Sequence, residues 1–223
     1  MSEDKLKMKK HIVTAIIFIS LLFAGCSAPF IYKPPTKDNS QNKYSKVYNK
    51  PYDAVWDALI NYSGSTFFSI DSFKKASGLL TLSFGSSNPQ DFVTAGLWKG
   101  YVVYKAKSMH FSGDDILYGP DSLYFDGDYV EYLTHYQNGT LNGKMDVLVK
   151  KIDDNHTKVT VNARYVFSSH GKDAYGNIFS NTWSFNTDEC SEVAVSSRAN
   201  GTPPTITMCP TYKAENAILS ALE

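Results

Sequence analysis

The sequence predicts an α+β domain, an antiparallel β-sheet with an N-terminal and a C-terminal helix packed on one of its faces. Three observations carry this. Apolar residues recur at helical spacing in two stretches, Tyr52 to Ile60 and Ala214 to Leu222. Between them lie runs rich in Val, Thr, Tyr and Phe, separated by turn signals such as Asn138-Gly139 and Asp153-Asp154-Asn155. In the last of these runs Val159, Val161, Ala163, Tyr165 and Phe167 alternate with Lys158, Thr160, Asn162 and Arg164, the pattern of a sheet covered on one face.

The chain opens on a targeting pattern. Lys9 and Lys10 precede an apolar run from Ile12 to Ala24, interrupted by Thr14 and Ser20, which is short for a membrane span and right for a signal peptide. Met8-Lys9-Lys10 makes a cleaner signal opening than Met1, because Glu3 and Asp4 are out of place in a basic n-region. The stretch Leu21-Leu22-Phe23-Ala24-Gly25-Cys26 resembles the lipobox of bacterial lipoproteins, with Phe23 where that pattern has Leu. The resemblance implies cleavage between Gly25 and Cys26 and acylation of the Cys26 thiol, which anchors the mature chain to a membrane. Ser27 after the Cys, in place of Asp, implies by the same resemblance the outer membrane, facing the periplasm.

Three segments are therefore expected: residues 1–25 as lipoprotein signal, 26–46 as lipidated Cys and flexible tether, and 47–223 as one α+β domain. The tether reading rests on Pro29, Pro34, Pro35 and the polar stretch Lys37 to Lys43. Pro51 then opens a helix with Tyr52, Val55, Trp56 and Leu59 on one face and Asp53, Asp57 and Asn61 on the other, ending near Gly64. Phe67 to Phe73 and Leu79 to Phe84 form a hairpin across Lys74 to Gly78. Gly85 to Gly127 holds at least two strands with long loops. Tyr129 to Tyr136, Gly143 to Ile152, Thr157 to Phe167 and Ile178 to Asn186 are predicted as strands, and Lys213 to Leu222 as a helix covering the sheet.

A second resemblance begins at Pro51-Tyr52-Asp53-Ala54-Val55-Trp56-Asp57-Ala58-Leu59 and continues at Ser77-Gly78-Leu79-Leu80-Thr81. These residues look like the opening of exported helix-grip-type domains, among them those of the BamC (NlpB) lipoproteins of the outer-membrane β-barrel assembly machinery. The resemblance implies a helix-grip-like fold and an envelope role. It carries over no catalytic residue.

The chain has 22 basic and 22 acidic residues; removing four lysines and two acids with the signal leaves 18 and 20. That balance, without a run of Lys and Arg, argues against nucleic acid as a partner. Two cysteines remain besides Cys26. In an oxidising compartment Cys190 and Cys209 are expected to form a disulfide, worth roughly 3 kcal/mol by chain entropy, the alternative being two buried thiols.

Other chemistry is sparse. His110, His135, His156 and His170 stand far apart, so no metal site is expected. Asp114, Asp115, Asp121, Asp126 and Asp128 lack the ligand order of a calcium loop. Ser168, His170 and Asp173 lie side by side in a polar stretch, without the Gly-x-Ser-x-Gly elbow of a hydrolase. Tyrosines crowd the middle third, and Tyr129 and Tyr132 are the candidate partner or ligand surface, against the alternative that they serve strand packing. The sequence thus points to a non-enzymatic, membrane-anchored lipoprotein of the bacterial cell envelope. No cofactor is expected. Its partner is an envelope protein in assembly, secretion or maintenance, with a glycan or other ligand as the alternative.

Overall fold

The structure is a computed structural model that describes residues 31–37, 44–103, 108–111, 115–118, 122–172, 178–195 and 205–223. The elements follow in the order β1 (Ile31–Lys33), β2 (Ser45–Tyr48), α1 (Tyr52–Gly64), β3 (Ser69–Lys74), β4 (Leu79–Ser86), β5 (Val93–Thr94), β6 (Leu97–Val103), β7 (Ser108–Phe111), β8 (Asp115–Tyr118), β9 (Ser122–Asp128), α2 (Tyr129–Tyr136), β10 (Thr140–Lys151), β11 (Thr157–Lys172), β12 (Ile178–Asn186), β13 (Ser191–Ala194), β14 (Thr205–Pro210) and α3 (Lys213–Ser220). The class is α+β, as the sequence predicts.

The main sheet is antiparallel, in the order β12-β11-β10-β4-β3. Strand β2 pairs with Thr157 to Thr160 of β11, on the edge that β12 takes further along from Arg164 to Lys172. Alternation decides which face is covered. Leu141, Met145, Val147 and Val149 of β10 are buried together with Val159, Val161, Ala163, Tyr165 and Phe167 of β11, while the residues between them are on the other face. Helix α1 closes this core with Val55, Trp56 and Leu59, and α3 closes it with Ala214, Ile218 and Leu219. Both predicted helices therefore sit on one face of the sheet. Each large apolar side chain taken out of water there contributes roughly 1.5–3 kcal/mol.

Two glycines make the packing possible. Gly78 closes the β3–β4 hairpin at φ +66°, and a Cβ on it would stand 2.0 Å from the Val149 carbonyl oxygen. Gly143 of β10 leaves the space that the Phe84 ring fills, where a Cβ would meet ring carbons at 2.1 Å. Phe84 in turn meets Tyr165 edge to face, with centroids 6.0 Å apart.

Smaller sheets extend the covered side. Strands β1, β6 and β9 form one, and β13, β14 and β5 another. The Trp183 indole N–H donates to the Ile206 carbonyl at 3.1 Å, joining β12 to β14. Strands β7 and β8 form a separate two-stranded ribbon.

Two expectations need correction. Tyr129 to Tyr136 is helix α2, not a strand. The Asp128 carboxylate accepts the Val130 N–H at 2.8 Å, and this cap starts a helix that β-prone tyrosines conceal. The segment 26–46 is also not a tether throughout. Ile31 to Lys33 pairs with Lys99 to Leu97 of β6, and the Tyr32 hydroxyl accepts the Thr207 N–H at 3.0 Å. Ser45 and Lys46 belong to β2, whose Tyr48 donates its hydroxyl proton to the Leu219 carbonyl in α3.

Candidate functional site

Tyr129 and Tyr132, the candidate ligand surface, are 1% and 5% exposed and so present no surface to a ligand. Helix α2 turns both into an aromatic cluster, with Trp98 centred 5.4 Å from Tyr129 and 4.6 Å from Tyr132. Phe125 and Tyr136 complete the group. The Tyr132 hydroxyl accepts from Gln137 Nε2 at 3.1 Å, and burial raises its pKa. This geometry is a core that joins β6, β9 and α2.

Asp128 organises the entry to that cluster. Besides Val130, it receives the Ala95 N–H at 3.1 Å and the Thr94 hydroxyl. Of the acidic residues considered for calcium, Asp126 pairs with Lys99, Asp128 is used as a cap, and Asp114 and Asp121 lie outside the described residues. Among the described residues no group of three or more His, Cys, Asp or Glu is placed to hold a metal.

A buried carboxylate escaped the sequence reading. Glu215, in the first turn of α3, is fully enclosed. Its Oε2 accepts the Tyr165 hydroxyl at 2.7 Å and its Oε1 accepts the Thr187 hydroxyl at 2.8 Å. Thr187 Oγ1 also accepts the Ala163 N–H at 2.7 Å, so the network reaches the β11 backbone. Burial raises the Glu215 pKa against the opposing effect of these hydrogen bonds. Perturbed acids often mark active sites, but Glu215 is enclosed in the core, where its bonds to Tyr165 and Thr187 join α3 to the sheet. The signal for it was present, since Glu215, Ile218, Leu219 and Leu222 follow helical spacing on one stripe.

Cys190 and Cys209 form the expected disulfide. It staples the residue before β13 to β14, and the Cys209 end pairs with Thr94 of β5. Beside it lies a cleft of about 160 Å³ lined by Thr36, Lys37, Glu189 and Tyr212. Small-molecule sites are usually roughly 300–1,000 Å³, so this cleft is too small for a typical ligand.

The remaining candidates do not converge. Ser168 hydrogen-bonds Thr182 at 3.2 Å on the open face of the sheet, His170 is exposed, and Asp173 lies outside the described residues. His156 bonds Asp153 at 2.8 Å in the β10–β11 turn. Gly25 and Cys26, the cleavage and lipidation residues, also lie outside the described residues.

The open face of the main sheet gathers what the linear sequence scatters. In the β10–β11 register Lys150 stands opposite Lys158 and Lys144 opposite Arg164, all four exposed. Leu148 and Val166 are exposed near them, at 45% and 39%. The strand alternation placed Lys158 and Arg164 on this face, whereas the opposing lysines needed the register.

No protein-family model matches the chain, and neither a curated protein nor a solved structure matches it. No helix among the described residues is long and apolar enough to cross a membrane.

Proposed function

We propose that this chain is a lipid-anchored lipoprotein of the bacterial envelope, held in the outer membrane facing the periplasm through acylated Cys26, and that it binds a protein partner without catalysing a reaction. The observation that carries the reading is the signal run ending in Ala24-Gly25-Cys26, the arrangement of a lipobox. A disulfide between Cys190 and Cys209 fits an oxidising compartment. Several acyl chains at about 0.8 kcal/mol per buried methylene suffice to hold a domain on a bilayer.

The partner role draws support from the open sheet face, which no helix among the described residues covers, and the BamC-like opening of α1 and the hairpin makes envelope assembly the leading process. The glycan alternative loses its motive, because Tyr129 and Tyr132 are buried. Chemical cross-linking in intact cells followed by mass analysis tests the binding role. A single stoichiometric envelope protein cross-linked to the chain is the expected result; a chain that stays monomeric and uncross-linked contradicts it.

A further inference from the structure

The β10–β11 register sets like charges directly against each other twice on the open face, Lys150 against Lys158 and Lys144 against Arg164. Directly opposed residues in an antiparallel pair hold their Cβ atoms about 4.5–5.5 Å apart, and like charges in that position destabilise the sheet. Lys144 has a counter-charge in Asp71 at 3.2 Å. Lys150, Lys158 and Arg164 form no salt bridge among the described residues. Lys150 and Lys158 are thus held in direct opposition at one end of the face without a salt-bridge partner, and Arg164 stands at the other end, roughly 20 Å further along β11 at about 3.3 Å per residue, with Asp146, which accepts the Thr81 hydroxyl, as the acid between them.

The residues around them narrow the kind of anion. Thr160 and Asn162 stand between the two pairs and offer hydroxyl and amide donors, opposite Leu148 and Asp146. Leu148, Val166 and Val47 add an exposed aliphatic area of the kind a protein surface can cover. No Phe, Tyr or Trp projects on this face among the described residues of β4, β10, β11 and β12. Sugars and bilayer interfaces favour aromatic platforms, so the face fits an acidic polypeptide better than either.

We propose that the open face of the main sheet is the docking surface for an extended acidic segment of a protein partner, gripped by Lys150 and Lys158 at one end and by Arg164, with Lys144 beside it, at the other. The inference rests on the protein-binding reading above and gives that reading a place and a chemistry. It also has an unusual signature. Lys150→Glu or Lys158→Glu turns a like-charge pair into an opposite-charge pair, so each single substitution raises the melting temperature while weakening the binding of anions.

The test uses the full exported chain in detergent, with a short poly-L-glutamate peptide as probe, and phosphatidylglycerol vesicles and an acidic polysaccharide as the competing anions. The expected result is salt-dependent binding of poly-L-glutamate that perturbs the backbone amides of Lys150, Lys158, Thr160 and Arg164. It falls about tenfold in each single variant, the loss of one close charge contact, and is unchanged in Lys33→Glu, an exposed cation on β1. Absence of poly-L-glutamate binding, equal binding by Lys150→Glu and Lys158→Glu, or tighter binding of vesicles or polysaccharide through the same lysines each overturns the proposal. The two readings separate in the cross-linking experiment. A partner that still cross-links equally to Lys150→Glu/Lys158→Glu leaves the binding role standing and removes this surface from it.

Discussion

Tyr165 and Glu215 meet hydroxyl to carboxylate at 2.7 Å, one from the middle of β11 and the other from the first turn of α3, where neither side chain touches water. The contact fixes the C-terminal helix against the sheet. It also buries an acid whose charged form is disfavoured by desolvation, the largest cause of its raised pKa.

The sign of the pH effect follows from linkage. A carboxyl whose pKa is higher folded than unfolded adds stability that is fully present below the unfolded value, about 4.3, and that is lost as pH rises through the folded value. Glu215→Gln keeps a neutral group in place. Its amide donates to Thr187 Oγ1, whose own proton turns to the Ala163 carbonyl 3.3 Å away. The variant is expected to be more stable than wild type at pH 7 and to lose that advantage near pH 4. Urea melts at the two pH values check this, and a variant less stable at pH 7 than at pH 4 relative to wild type contradicts it.

Gly143→Ala places a methyl group where the Phe84 ring lies. The ring is held by Tyr165 and by Phe68, whose centroid is 5.7 Å away, so it has little room to retreat. A loss of about 1–3 kcal/mol is expected, the usual cost of overpacking. Thermal unfolding followed by near-ultraviolet circular dichroism measures it.

Trp56 is 3% exposed on the inner stripe of α1 and stacks on Tyr52 at 6.1 Å. Trp56→Ala should cost about 3–5 kcal/mol through lost transfer energy and a cavity. A variant that unfolds with the wild type in denaturant would show that α1 does not carry the core.

Removing the disulfide with Cys190→Ala and Cys209→Ala opens a loop with a sequence separation of 19. Chain entropy gives a loss of about 3 kcal/mol. Mass analysis of unreduced peptides should find the two cysteines linked, and on the proposed anchor at Cys26 the double variant should fractionate with membranes as the wild type does.

What was legible in the sequence was periodic. The stripe of α1, the β3–β4 hairpin, the alternation of β11, the limits of β12 from Ile178 to Asn186 and the stripe of α3 all follow from patterns that repeat over several residues. Helix α2 was not legible by propensity, since Tyr129, Val130, Tyr132 and Tyr136 favour strands. Its cap was the better guide: Asp128 with Glu131 three residues on has the spacing of a capping box. Ile31 to Lys33 was obscured by the prolines after it, because pairing with β6 is a long-range contact that no local pattern announces. Glu215 was passed over as a polar residue beside an apolar stripe, although Ile218 and Leu222 place it within that stripe. The opposed lysines required the register, which the turn from Ile152 to His156 sets through the hydrogen bond from the Ile152 N–H to the His156 carbonyl.

The anchor is the claim on which the functional reading depends, and the most direct measurement is metabolic labelling of the protein with a radioactive or clickable fatty acid, compared between wild type and Cys26→Ser. A labelled, membrane-sedimenting wild-type chain beginning at Cys26 and an unlabelled variant released from the membrane are the expected results. Equal labelling of the two, or a wild-type chain that carries no fatty acid and retains residues 1–25, would contradict the anchor.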